Sequence, residues 1–370
     1  MTVLHDGQKP SQWLDPAQFG LFRWVVDWAS DDQFWLPPNI TWATLEASEE
    51  GMQFARSSDL RIPMMAAFAV YFIRIFVQNK VFRYLGVCLG LKDQRRVVPP
   101  ENPILEAAFK NTKRLDHSRI RALSKESDMT ERQVERWIRQ RSLVGKSSKL
   151  DKFCESGWKA LYYTLMYAYS WVILWDKPWF WDIKYCWYKY PFHDVSTGIW
   201  LYYMIELSFY WSLLISQFFD VQRSDFWEMF AHHIAAILLL SLSWACNLFR
   251  VGTLVLWVHD CADVFLESAK MFRYLGKQSI SDALFYGFAI SWMVTRLGYF
   301  PTWILYSITV EAGQFIQYFG AYQVFSALLS ILLILNLFWA YFIFKVAYLA
   351  ALAPDGKIEK DLRSESNSSD

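Results

Sequence analysis

No two cysteines in this 370-residue chain stand in CxxC spacing. The five, Cys88, Cys154, Cys186, Cys246 and Cys261, are scattered, so neither a zinc site nor a disulfide framework is indicated, and they read as small packing residues. Histidine is scarce too. There are six, none in the HxxH or HxxxH spacing that holds a membrane di-metal centre, which excludes the multi-spanning desaturases and hydroxylases and leaves no metal site. Net charge is only +1, so no polyanion is implied as a partner of the whole chain. The N-terminus lacks a cationic stretch followed by a short apolar run; it is acidic and rich in Trp. No cleavable signal peptide is therefore expected, and the first spanning helix is expected to do the targeting.

What the chain has in excess is apolar and aromatic surface: 54% hydrophobic, 19% aromatic, with 20 Trp and 29 Phe. A soluble core does not need that much, so the excess faces lipid. Seven stretches are long and apolar enough to cross a bilayer, about 62–81, 157–175, 198–219, 226–246, 252–270, 283–306 and 324–350. The fold class expected is an all-α integral membrane protein. An odd number of spans puts the termini on opposite sides. Residues 1–61 hold four Lys or Arg against nine Asp or Glu, whereas 80–159 hold nineteen against ten, which places 82–147 in the cytosol and the 1–61 tail in the lumen. Lys177, Lys184 and Lys189 fall on the lumenal side, among Trp and Tyr. The sequon Asn39-Ile40-Thr41 lies in the lumenal tail and is a glycosylation candidate. Asn367-Ser368-Ser369 lies in the cytosolic 351–370 tail, which is polar enough to be disordered and carries serines beside acids as phosphorylation candidates.

Ionisable side chains inside a span are costly and usually face a cavity or each other, so they locate chemistry. Here they concentrate in three spans. The third carries Tyr202, Tyr203, Glu206 and Tyr210, with 203, 206 and 210 on one face. The fourth carries adjacent His232 and His233, which point about 100° apart, so only one is expected to meet a substrate. The fifth carries His259, Asp260, Asp263, Glu267 and Lys270, with 259, 263, 267 and 270 aligned. Counting from the cytosolic edge at 1.5 Å per residue puts His232 and Asp263 each roughly 10 Å deep on antiparallel neighbours. The expectation is a histidine and carboxylate pair open to the cytosol. An imidazole there can take a proton from an attacking amine or accept an acyl group, with the carboxylate fixing its tautomer, and no metal is required. The competing reading is that these groups are helix-to-helix hydrogen bonds. Arg296 in the sixth span is expected to pair with Glu267 or Asp260, or to line the substrate path, and Pro301 to kink that helix.

The run from Tyr202 to Lys270 resembles the longevity-assurance motif of ceramide synthases. Its landmarks are Glu206, Phe209-Tyr210, Asp220, Asp225-Phe226, Met229, His232-His233, Arg250-Val251-Gly252, His259-Asp260, Ala262-Asp263 and Leu266-Glu267. The resemblance covers nearly the whole chain and shows no departure in the core motif. It implies a TLC domain over about 148–350 with six of the spans, residence in the endoplasmic reticulum membrane, and N-acylation of a sphingoid base, sphinganine or sphingosine, by a fatty acyl-CoA. Acyl-CoA is then a co-substrate and no other cofactor is implied. By motif, His232, His233, Asp260 and Asp263 are the catalytic candidates, with Tyr203, Glu206, Tyr210, His259, Glu267 and Arg296 as substrate-binding candidates. The resemblance also implies membrane lipid as surroundings, homo- or hetero-dimers with related synthases, and an acyl-length determinant in the connection from Ser307 to Gln323.

Within the cytosolic segment, Met129 to Arg141 resembles the recognition helix of a homeodomain. The asparagine that reads adenine is Gln140 here and an expected basic neighbour is Ser142, so this homeobox-like part of residues 82–147 is not read as a nucleic-acid binder. The basic Lys146 to Lys152 stretch suits anionic CoA or lipid headgroups better. An ester-forming O-acyltransferase would share substrates but is expected to show a different His and Asn constellation, and two further classes fit less well. A non-enzymatic TLC-domain lipid carrier or sensor has no need of both histidines. A seven-span receptor has no need of roughly 75 residues in its first cytosolic loop.

Overall fold

The computed structural model describes residues 27, 28, 30–46, 52–93, 98–111, 116–144, 148–220 and 225–352. The C-terminal serines and the Lys146 and Ser147 part of the basic stretch lie outside them. All regular structure among the described residues is helical.

The first long helix, α1, runs Ser57–Cys88. It passes through a wide π turn at Val77–Phe82 and keeps most of its apolar surface outside the protein, Met65 and Phe72 among the most exposed. Such a surface is compatible with lipid and not with water. Two glycines bring α1 close to its neighbour. A Cβ on Gly86 would lie 2.6 Å from the Leu150 side chain, and one on Gly157 would collide with the Phe82 ring. Small residues that let backbones approach are how helices pack without a hydrophobic driving force. Arg74, buried on α1, is tied by both oxygens of Asp220, at 2.9 and 2.7 Å.

Three short helices follow: α2 (Pro103–Asn111), α3 (His117–Glu126) and α4 (Glu131–Leu143). Each start is encoded locally. Asn102 accepts from the Ile104 and Leu105 amides ahead of Pro103, Asp116 caps α3, and Thr130 with Gln133 forms a capping box on α4. Leu105, Ala108, Ile120, Leu123, Val134 and Trp137 make a core of their own, and the Trp137 indole donates to the Pro100 carbonyl at 2.7 Å.

The remaining long helices are α5 (Lys149–Leu174), α6 (Thr197–Gln217), α7 (Phe226–Ala245), α8 (Phe249–Tyr274), α9 (Gln278–Trp292) and α10 (Ala321–Leu352). Successive members run antiparallel: Tyr169 and Tyr162 of α5 donate to the carbonyls of Gly198 and Ile205 of α6, in reverse order along the two helices, and the connection from α7 to α8 is short. The helix starts of α6, α8 and α10 and the ends of α5 and α7 therefore share one face, onto which Trp35, Leu36 and Ala55 of the N-terminal segment pack. We call this the N-terminal face. α8 is the hub, in contact with α5, α7 and α9.

By length and composition four helices can cross a membrane: Ser57–Cys88, Thr197–Gln217, Phe226–Ala245 and Ala321–Leu349. The protein is thus a multi-pass membrane protein. Three of the seven stretches read from the sequence fall short on these grounds, for visible reasons. α5 holds a single charge, Lys159, within 157–175, but its Tyr and Trp residues keep that stretch only weakly apolar. α8 carries Arg250, Asp260, Asp263, Glu267, Lys270 and Arg273. α9 is only 15 residues of α-helix, after which the chain continues as a π-helix over Met293–Leu305. Pro301 sits inside that run, so the helix answers the missing N–H by widening.

Candidate functional site

An apolar cavity of about 50 Å³ lies between α6, α7, α8, α10 and the Ser307–Glu311 π turn that follows the continuation of α9. Its wall on α7 runs from His232 through Ala236, Leu239 and Leu240 to Ser243, eleven helical steps or roughly 16 Å. Leu248, Val251, Gly252, Ile308 and Phe325 line it toward the N-terminal face; Tyr210, His232 and His259 line the other end. The result is a greasy tube with imidazoles at one end.

The three intramembrane histidines are held differently. His233 Nδ1 donates to Gln217 Oε1 at 2.8 Å, and Gln217 is itself fixed by donating to the Phe226 carbonyl at 2.7 Å. His259 Nδ1 donates to the Val255 carbonyl at 2.8 Å, which leaves Nε2 to accept from Asn336 Nδ2 at 3.2 Å. His232 is the uncommitted one. Its Nδ1 is buried with no hydrogen-bond partner, and its ring meets Tyr210, His233 and Trp339 at centroid distances of 6.4, 5.8 and 5.4 Å. Neighbouring positions on a helix point about 100° apart, and here one imidazole lines the cavity while the other grips the scaffold.

The depth match between His232 and Asp263 does not become a contact pair. Asp263 Oδ2 instead takes Arg296 Nη2 at 2.6 Å. That same Nη2 reaches the His259 carbonyl at 2.5 Å, and the guanidinium lies 4.1 Å from the Trp292 ring centroid. Arg296 is therefore the partner of Asp263, and not of Glu267 or Asp260. Counting residues fixes depth along an axis and says nothing about rotation around it; Asp263 faces α9.

The other candidates occupy separate places. Glu267 bonds Lys270 at 2.7 Å toward the face opposite the N-terminal one. Tyr203 shares a hydrogen bond of 2.7 Å with Ser243 and fills the space that Gly252 leaves by having no Cβ. Glu206 and Asp260 are buried in electrostatic contact with one another, and neither carboxyl has a well-formed hydrogen bond. Asn39 is exposed in a left-handed turn, φ 69°. Among the described residues no three His, Cys, Asp or Glu side chains converge to hold a metal ion. The reading from sequence missed Asn336 and Gln217. Asn336 carried a signal, since it is an amide in the most apolar helix of the chain.

Packed helices around a charged hub, with histidines at one end of an apolar cavity, make this a polytopic membrane protein, and residues 152–345 match the TLC domain family, which gives its class. The chain is 38% identical to human ceramide synthase 5 over 343 residues, 92% of this chain and 87% of that protein. It is 40% identical to human ceramide synthase 3 over 327 residues, 88% of this chain and 85% of that protein. With ceramide synthase hyl-1 of Caenorhabditis elegans the identity is 32% over 357 residues, 93% and 85% of the two chains. This chain belongs to the ceramide synthase family.

Proposed function

We propose that the protein is an acyl-CoA-dependent ceramide synthase that joins a fatty acyl group to the amine of sphinganine or sphingosine. The observation that carries this reading is His232, an imidazole with a free buried nitrogen at the end of a cavity walled largely by aliphatic side chains. The acyl tail lies along the α7 and α8 walls toward Ile308 and Phe325, which puts the thioester carbonyl beside His232 and Tyr210. His232 takes the proton of the attacking amine or accepts the acyl group as an acyl-imidazole. Oriented rings and a dry wall supply the positioning.

The chain resides in the endoplasmic reticulum membrane with seven spans, its N-terminal face lumenal and its C-terminus cytosolic, so that His232 opens to the side on which acyl-CoA is dissolved. Asn39 carries the lumenal glycan. The α2–α4 unit stands in the cytosol as the homeobox-like segment, with no nucleic-acid partner, and the chain pairs with itself or related synthases. Asp260 and Asp263 serve the site indirectly, Asp263 by anchoring Arg296.

The test is N-acyltransferase activity on sphinganine across a ladder of acyl-CoAs, comparing the intact chain with His232→Ala, His233→Ala and Asp263→Ala at matched membrane insertion. Loss of about a hundredfold or more is expected for His232→Ala, with a smaller loss for His233→Ala, whose contact is Gln217. An intact chain inactive with every acyl-CoA would instead favour the lipid carrier or sensor of the same fold.

A further inference from the structure

Glu206 and Asp260 are 0% and 1% exposed, and all four of their carboxyl oxygens lack a partner at hydrogen-bonding geometry. The Tyr202 hydroxyl, equally buried and equally unpartnered, interacts with Asp260, and Tyr162 interacts with Glu206. The nearest cation, Arg296, is committed to Asp263. Two ionised carboxylates in such a place would both be uncompensated, a cost of several kcal/mol each. One proton held between them satisfies both. Neither group lines the cavity, but Tyr210, one turn beyond Glu206 on α6, does, and it interacts with both carboxyls. On α8 the polar groups continue from Asp260 to Asp263, Glu267 and Lys270, whose side chains are 22%, 7% and 17% exposed.

We propose that the facing carboxyls of Glu206 and Asp260, behind Tyr210, are the proton-holding station of the acyl transfer, discharging along α8. The inference rests on the N-acyltransferase reading. In that reaction an ammonium, R–NH3⁺, gives an amide. The new C–N bond forms and the thioester C–S bond breaks with its electron pair going to sulfur. The nitrogen loses two protons, of which one ends on the CoA thiol and the other is surplus in every turnover. The surplus proton passes from the cavity to the carboxyl pair, which enters the step with one site free, and leaves at the cytosolic side. The groups facing the pair are Tyr162, Tyr163 and Tyr167 on α5, Tyr202 and Tyr210 on α6, Cys261 and Asp263 on α8 and Arg296 beyond α9.

The experiment measures initial rates against pH for the full chain in lipid nanodiscs, with sphinganine and the best acyl-CoA, for Glu206→Gln, Asp260→Asn and the double variant. Both changes preserve shape, so thermal stability reports any merely structural role. The expected result is a fall in kcat of about 100-fold for each single variant, with KM for both substrates within twofold and the acid-side inflection of the parent profile gone. The double variant is expected to be no worse than either single one, as for groups acting as a unit. Variants of an active parent that keep its pH profile, or that lose activity only in proportion to lost folded protein, overturn the proton role and leave the N-acyltransferase reading intact. A parent inactive at every pH overturns both.

Discussion

Single residues were legible where they broke the apolar pattern. His232, His233, His259, Asp260, Asp263 and Glu206 stand out in spans of Leu, Phe and Ala because an ionisable group costs energy there, and the structure draws most of them toward one region between α6, α7 and α8. Their partners were not legible. Arg296 on Asp263, Gln217 on His233 and Asn336 on His259 depend on helix rotation, which a residue count does not supply. Tyr203 shows the same limit: it shares a helical face with Glu206 and Tyr210 in the sequence, yet in space it buttresses α8. A Cβ at position 252 would collide with the Tyr203 hydroxyl and come 3.1 Å from Ser243 Oγ. Gly252→Ala is expected to destabilise the protein by about 1–3 kcal/mol through overpacking. Tyr203→Phe removes the colliding atom at the cost of one hydrogen bond, so the double variant should recover part of the loss in thermal melting. Additive losses would mean that Gly252 is needed for something other than that hydroxyl.

Elements were legible as stretches and less so as forms. The apolar runs place α1, α6, α7 and α10 well, because each is a nearly uninterrupted span. α9 is different. Pro301 signals a kink, but no periodicity announces thirteen residues of π-helix over Met293–Leu305. The widened turn holds Arg296 buried on Asp263, with the His259 carbonyl and the Trp292 face beside it. That arrangement uses the planar fork of a guanidinium, which an ammonium cannot reproduce. Arg296→Lys is therefore expected to lose at least about tenfold in acyl transfer while still inserting in the membrane. Arg296→Leu should lose stability as well, about 3 kcal/mol, because Asp263 is left without its counter-charge. Adding Asp263→Leu should restore melting temperature but not activity. Should it restore activity too, the ion pair has no role beyond balancing its own charges.

For the whole molecule, the proposed seven spans require three helices that are too polar to cross alone to lie in a membrane with four that are not. α5 and α8 pair charges within themselves, Lys159 on Glu155 and Glu267 on Lys270, and Asp263 of α8 is paired with Arg296 in the continuation of α9. α8 in particular meets α5, α7 and α9 at once, so its carboxylates face protein and not lipid. Insertion as a packed set makes seven spans consistent with four self-sufficient ones. The proposed seven spans, with the basic 80–159 segment in the cytosol, predict a lumenal Asn39 and a cytosolic Asn367. The intact chain should run on a gel with one endoglycosidase-sensitive shift, abolished by Asn39→Gln and unaffected by Asn367→Gln, and Asn39→Gln should leave acyl transfer unchanged because Asn39 lies outside the cavity wall. The discriminating case is a new sequon in the α5–α6 connection, near Lys184, which seven spans place in the lumen. If that sequon stays unmodified while an equivalent one between α3 and α4 is glycosylated, the charged helices do not cross in the order proposed, and the mouth beside His232 opens to the wrong compartment for acyl-CoA.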